Sequence, residues 1–241
     1  MAAQSAVKSF ICACAGTIAW LLGGTAALAA DAGSVTHLTG TLSAQKADGA
    51  VRILARRSEV NPGDTLTTEK DSFAQIDFPD GSAITIRPST RVKLEAYRFD
   101  AERPQEDTSF LRLIKGGIRS VSGLIGKRGS EDAFRIGTAT ATIGIRGSSG
   151  DTFDCTQGCE GVTSTSDKLD KAVYHTTYTG SYVMINDGGE LIVGEGRFGY
   201  ATDIKLAPVL LPGDPGMSLG DLPFTLGTRD SRSSGQECTA R

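Results

Sequence analysis

Ala74, Ile76 and Phe78 alternate with Gln75 and Asp77, and after Pro79-Asp80-Gly81 the alternation resumes with Ile84 and Ile86. A period of two places every apolar side chain on one face of an extended strand, so the stretch reads as a half-buried hairpin. Asp80-Gly81 supplies the residue able to take the positive φ that a tight corner demands. Pro79 and Pro88 lack the N–H that a ladder requires and mark strand ends. Thr90 to Ala96 alternates again, with Val92, Leu94 and Ala96 inward.

The rest of the chain repeats this plan. Glycine makes up 30 of 241 residues, and the apolar runs are short and regularly spaced, as in sandwiches and barrels. The expectation is an all-β single domain built from successive hairpins, either a β-sandwich or a jelly-roll-like β-roll. Val35–Gln45 reads as one strand. Thr108–Lys115 and Gly117–Ser122 read as two, as do Ala139–Ile145 and Asp151–Asp154, with Arg146-Gly147 leaving the strand between them. Ala172–Thr179 and Ser181–Ile185 likewise read as separate strands. Asp187-Gly188 echoes the Asp80-Gly81 corner. The runs 98–107, 122–132 and 163–170 are polar, charged or glycine-rich and read as loops.

Lys8, the apolar run Phe10–Leu22 and Ala27-Leu28-Ala29 have the layout of a secretory signal with cleavage after Ala29; the alternative is an uncleaved anchor. Residues 1–29 are then the signal and 30–206 the β domain. Residues 207–226 form a proline-rich strap on the body, and 227–241 a disordered tail. The net charge of -3 carries no basic stripe, and the single Trp lies in the signal, so nucleic acid is not an expected partner. Export implies a periplasmic or secreted location, with no membrane span once the signal is removed. In that oxidising compartment Cys155 and Cys159, a C-x₃-C around Gly158, are expected to form a local disulfide. Cys238 is expected to be unpaired. His37 and His175 are not spaced to complete a metal site with the cysteines, and neither metal nor cofactor is expected.

Gly63-Asp64, Thr67-Thr68, Asp80-Gly81-Ser82 and Pro88-Ser89-Thr90 together resemble the FecR-type periplasmic domain. A second signature, Thr138-Ala-Thr-Ala-Thr-Ile-Gly-Ile-Arg-Gly-Ser148, is similar to that family's Arg-Gly-Thr ending, with Ser148 keeping the hydroxyl. The resemblance covers roughly residues 40–200. It implies a non-enzymatic β domain. In the family's best-known members such a domain is linked through one membrane span to a cytoplasmic anti-sigma segment, and it senses an outer-membrane iron-siderophore receptor. Here few residues precede the apolar run and no second run follows it, so the binding module is expected without the inward-signalling arm.

No G-x-S-x-G elbow, P-loop or dinucleotide fingerprint is present; Gly194-x-Gly196-x-x-Gly199 lacks the helix that phosphate binding requires. Asp64, Asp80, Gly81, Asp187 and Gly188 are explained as turn residues. Arg146, Lys127 and Arg128 are the candidate binding residues, with Asp151 or Asp154 the expected structural partner of Arg146. The leading reading is a secreted domain that binds another envelope protein or surface component, sensing or scaffolding. The alternatives are an envelope enzyme assembled from distant residues and a small-ligand scaffold. The oligomeric state is not set by these residues.

Overall fold

The computed structural model describes residues 33–128, 130, 132–162 and 168–217. The expected signal, tail and Cys238, the end of the strap from residue 218 and residues 163–167 lie outside the described residues. The described strands are β1 (Gly33–Thr39), β2 (Leu42–Gln45), β3 (Val51–Leu54), β4 (Glu59–Val60), β5 (Thr65–Thr68), β6 (Phe73–Asp77), β7 (Ala83–Ile86) and β8 (Arg91–Arg98). They continue as β9 (Thr108–Val121), β10 (Phe134–Gly137), β11 (Thr142–Asp154), β12 (Val173–Asn186), β13 (Gly189–Gly194), β14 (Phe198–Ala201) and β15 (Val209–Leu211). One helical turn, α1 (Ile125–Arg128), follows β9.

Pairing joins all the strands into one sheet, and the registers divide that sheet into two layers sharing three long strands. The first layer runs β3-β2-β5-β8-β9-β10-β11-β12-β13 and uses residues 108–115 of β9, 142–146 of β11 and 181–186 of β12. The second runs β4-β1-β6-β7-β9-β11-β12-β14-β15 and uses residues 116–121, 149–154 and 173–179. Leu42, Leu66, Leu94, Leu111 and Ile143 from the first layer share one cluster with Val35, Ile76, Ile84, Ile118 and Val173 from the second. The layers therefore face each other, and the all-β fold is a sandwich whose corners are strands that switch layers.

Each switch is made by glycine and fixed by a hydroxyl. β9 turns at Gly116, whose φ is +88° and where a Cβ would fall 2.3 Å from Thr90 Oγ1 and 2.7 Å from Thr90 Cα. Thr90 Oγ1 accepts the Gly117 N–H at 2.9 Å, and Thr68 Oγ1 accepts the Thr90 N–H at 3.1 Å while donating to the Arg87 carbonyl. Ser148 Oγ donates to the Ser181 carbonyl at 2.6 Å and accepts the Ser181 N–H at 3.0 Å, pinning β11 to β12 where both bend. A Cβ on Gly180, at φ +74°, would lie 2.7 Å from Ser148 Oγ.

These corners explain where the structure departs from the sequence reading. The segments read as separate strands on either side of 116, 146–150 and 180 are single strands β9, β11 and β12, because a glycine bend keeps the ladder going. Arg146-Gly147 does not leave its strand; it forms a bulge within β11. Val35–Gln45, conversely, is two strands in different layers. Gly40 takes φ +75° there, and Ser72 Oγ accepts the Thr41 N–H at 2.9 Å.

The hairpin of β6 and β7 buries Ala74, Ile76, Phe78, Ile84 and Ile86, as the alternation requires. Phe78 and Ser82 close a three-residue loop in which Gly81 takes φ +83°. On the outer side of the second layer, Phe153, Val162, Ala172, Tyr174 and Met217 gather around Cys155 and Cys159, which form a disulfide. The start of the strap is not merely extended: Val209–Leu211 pairs with β14 as an edge strand.

If the Gly116 corner sets the layer switch, Gly116→Ala should destabilise far more than Gly49→Ala, which has the same φ of +88° but open space around its Cβ. The positive φ alone costs about 1–2 kcal/mol; the added clash with Thr90 backbone should raise Gly116→Ala above about 3 kcal/mol in urea unfolding.

Candidate functional site

The residues singled out as turns are bonded within the fold. Asp64 Oδ2 accepts the Asn61 N–H at 2.9 Å and Arg52 Nη2 at 2.5 Å. Asp80 Oδ1 accepts the Ser82 N–H, the Ser82 hydroxyl and the Tyr97 hydroxyl, while Oδ2 takes the Ile125 N–H at 3.2 Å. One carboxylate thus ties the β6–β7 corner to β8 and α1. Burial, reinforced by the Asp80 charge, raises the Tyr97 phenol above its usual range, so its proton stays in this bond. Asp187-Gly188 does occupy the β12–β13 corner. There the side-chain bonds come from Asn186, whose Nδ2 reaches the carbonyls of Thr140, Asp203 and Leu206.

Of the candidate binding residues, Arg128 clamps a loop. Its guanidinium donates to the carbonyls of Asp100 and Ala101 and to Asp107 Oδ2, and it lies over the Phe99 ring at 4.9 Å. Lys127 is exposed, and its Cγ lies 3.6 Å from where a Gly147 Cβ would be, which puts it beside the bulge that carries exposed Arg146. Asp151 and Asp154, the partners expected for Arg146, are held by other donors. Asp154 takes the Ala139 and Thr156 N–H groups and the Thr156 hydroxyl.

Asp151 is the centre of a buried ion network that the alternation pattern did not reveal. Arg119 Nε reaches its Oδ1 at 2.8 Å; Arg87 Nη2 at 2.8 Å and the Tyr178 hydroxyl at 3.0 Å reach Oδ2. Arg87 is only 2% exposed and Asp151 fully buried. Burial disfavours the charge on Arg119, but the bonds and charge of Asp151 outweigh it and hold Arg119 above its ordinary value. Two cations thus share one anion, and Arg87 also lies over the Phe153 ring at 5.4 Å. The only hint in the sequence was an arginine at an outward position beside Pro88; the Phe153 ring that lies against it comes from β11.

His175 is fully buried on the core side of β12. Its Nδ1 is 3.0 Å from Thr152 Oγ1, and its ring lies 4.1 Å from that of Tyr182. Burial alone pushes its pKa down to about 3, so the ring is neutral. Sealed from solvent between two threonine hydroxyls and a tyrosine, it packs the core and is out of reach of any substrate.

What the fold leaves open lies at the layer edges. The second layer ends in the two-residue β4 and in β15, which Pro208 and Pro212 flank, both features that blunt an edge. The first layer ends in β3 and β13, with no proline in either, and among the described residues each pairs on one side only. On β3, Val51 is 65% and Ile53 72% exposed. The Lys46 N–H bonds the Ala50 carbonyl to close the hairpin, so by antiparallel alternation the N–H and C=O groups of Val51 and Ile53 point away from β2. On the β13 side Ile192 is 62% and Ile185 39% exposed.

The FecR protein family model matches residues 64–165 of this chain. That segment is similar to the FecR family. It begins at Asp64 and contains the Asp80 corner, the Thr90 and Ser148 locks and the disulfide; it is narrower than the resemblance over 40–200. Two crystal structures of a candidate anti-sigma factor from Parabacteroides distasonis are similar to the chain at 12% and 11% identity, with TM-scores of 0.46 and 0.44. Each alignment covers 62% of this chain and 60% of the other. No curated protein matches the chain. No helix among the described residues is long and apolar enough to cross a membrane.

Two measurements test this account. Asp151→Asn strands the buried Arg87 guanidinium and the half-buried one of Arg119 and should cost about 3–5 kcal/mol in urea unfolding. Arg87→Met keeps the Asp151–Arg119 pair and should cost less. For His175, the folded pKa lies below the ordinary value, so stability is lost as pH falls through about 6.5, where the unfolded chain takes up a proton that the folded one refuses. Between pH 7 and pH 4.5 that loss amounts to roughly 2–3 kcal/mol, and it should be missing from the pH profile of His175→Gln.

Proposed function

We propose that this chain is a non-enzymatic regulatory domain of the cell envelope that recognises its partner by adding a strand to an edge of the first layer. The observation that carries this reading is β3, an unpaired edge with outward backbone groups and two apolar side chains standing more than 60% exposed. Strand addition uses backbone hydrogen bonds for affinity and alternate side chains for selectivity, and β3 offers both. The FecR segment and the secretory character of the N-terminus favour an envelope location. The sealed environment of His175 disfavours the enzyme alternative. A groove of about 390 Å³ at the β1–β4 edge is lined by Arg57, Glu59 and Asp77; its charge does not suit the apolar ligand that a small-molecule scaffold would enclose.

A photoreactive residue at position 51, irradiated in intact envelopes, should give a discrete crosslinked product, and adding Ile53→Lys should reduce its yield about tenfold. The same probe at exposed Arg103 should give none of it. Equal labelling from 51 and 103, or indifference to Ile53→Lys, would refute edge recognition.

A further inference from the structure

We infer that the strand accepted by β3 is β13 of a second copy of this chain, so that copies join head to tail and continue the first layer from one molecule to the next. This rests on the edge-recognition reading above and names its occupant. Three independent features of the two edges agree.

The first is direction. From β3 to β13 the first layer contains seven antiparallel pairings and one parallel pairing, β9 with β10. An odd number of reversals leaves β3 and β13 pointing opposite ways. A second copy displaced along the sheet without being turned over therefore brings its β13 antiparallel to β3, the arrangement with the stronger ladder.

The second is apolar matching. Val51 and Ile53 share the outer face of the layer with Ser43 and Gln45, their register partners. Ile192 pairs with Val183, and Ile185 with Glu190, on the outer face at the opposite edge. Placing the two edges together brings Ile192 within cross-strand or diagonal reach of Val51 and Ile53, with Ile185 one strand further back behind Glu190.

The third is charge. Residues 46–57 hold Lys46, Arg56 and Arg57, besides Arg52 already paired with Asp64, against a single acid, Asp48. Residues 187–195 hold Asp187, Glu190 and Glu195 and no base. In the antiparallel arrangement the Lys46 end of β3 meets the Glu195 end of β13, and the Arg56–Arg57 end of β3 meets the Asp187 end. The same pairing set β3 against β3 would oppose like charges. Because the two surfaces differ, the contact is heterologous, and it propagates unless its rotation closes a ring.

Sedimentation velocity on the purified protein decides the matter. Wild type should form concentration-dependent species larger than a dimer, weakened at high salt. Ile53→Lys alone and Ile192→Lys alone should each be monomeric; both positions are exposed, so both variants should fold. Mixed one to one, they should form a dimer and nothing larger, because each retains the edge that the other has lost. A wild type that stays monomeric, an Ile192→Lys variant that still dimerises, or a mixture that stays monomeric would each overturn the proposal. A monomeric wild type that still crosslinks from position 51 to a different envelope protein would overturn self-assembly while leaving edge recognition standing.

Discussion

Two hydroxyl locks make this fold possible. A strand can serve two layers only if it bends without losing its ladder, and a bend at glycine leaves backbone groups that water or a side chain must satisfy. Thr90 and Thr68 satisfy them where β9 turns at Gly116, and Ser148 satisfies them where β11 and β12 turn together. Both locks depend on glycine for space as well as for φ, since a Cβ at Gly116 or Gly180 would strike the locking residue. Without them the sheet would lack the corners that bring its halves face to face over one core.

The buried Asp151 network stands on the outer side of the second layer, where the shared segments of β9, β11 and β12 run side by side. It ties β7, β9, β11 and β12 through Arg87, Arg119 and Tyr178. On the opposite side of the same strands His175 fills the core as a neutral ring. Polar groups on both faces of one stretch of sheet are costly unless bonded, and here the principal ones are, so the stretch acts as a rigid centre.

The sequence disclosed the fold class, the buried face of the β6–β7 hairpin, the Asp64 and Asp80 corners and the Cys155–Cys159 bridge, because each is set by residues near one another. It misjudged Gly116, Gly147 and Gly180 as strand ends. Glycine reads as a breaker when viewed alone; whether a strand ends or bends there depends on hydroxyls tens of residues away. Arg87 was passed over for a similar reason: alternation gives its side of the strand correctly but cannot say that Asp151 and Phe153, more than sixty residues away, meet it there. The edges of the first layer were equally hidden, since strand order is a property of pairing.

Most of the residues that make the segment recognisable as FecR are consumed by architecture. Asp64, Thr68, Asp80, Thr90 and Ser148 are bonded inward, and each is no more than 3% exposed. They hold corners and have nothing to offer a partner. β3 and β13 both lie outside the 64–165 match, one before it and one after it. The shared segment therefore builds a scaffold whose middle is fixed, and the flanking strands supply the surfaces that can be made to fit something. On the proposed reading, family likeness and partner choice are written in different parts of the chain, with selectivity assigned to the edge strands and their opposed charges and bare apolar side chains.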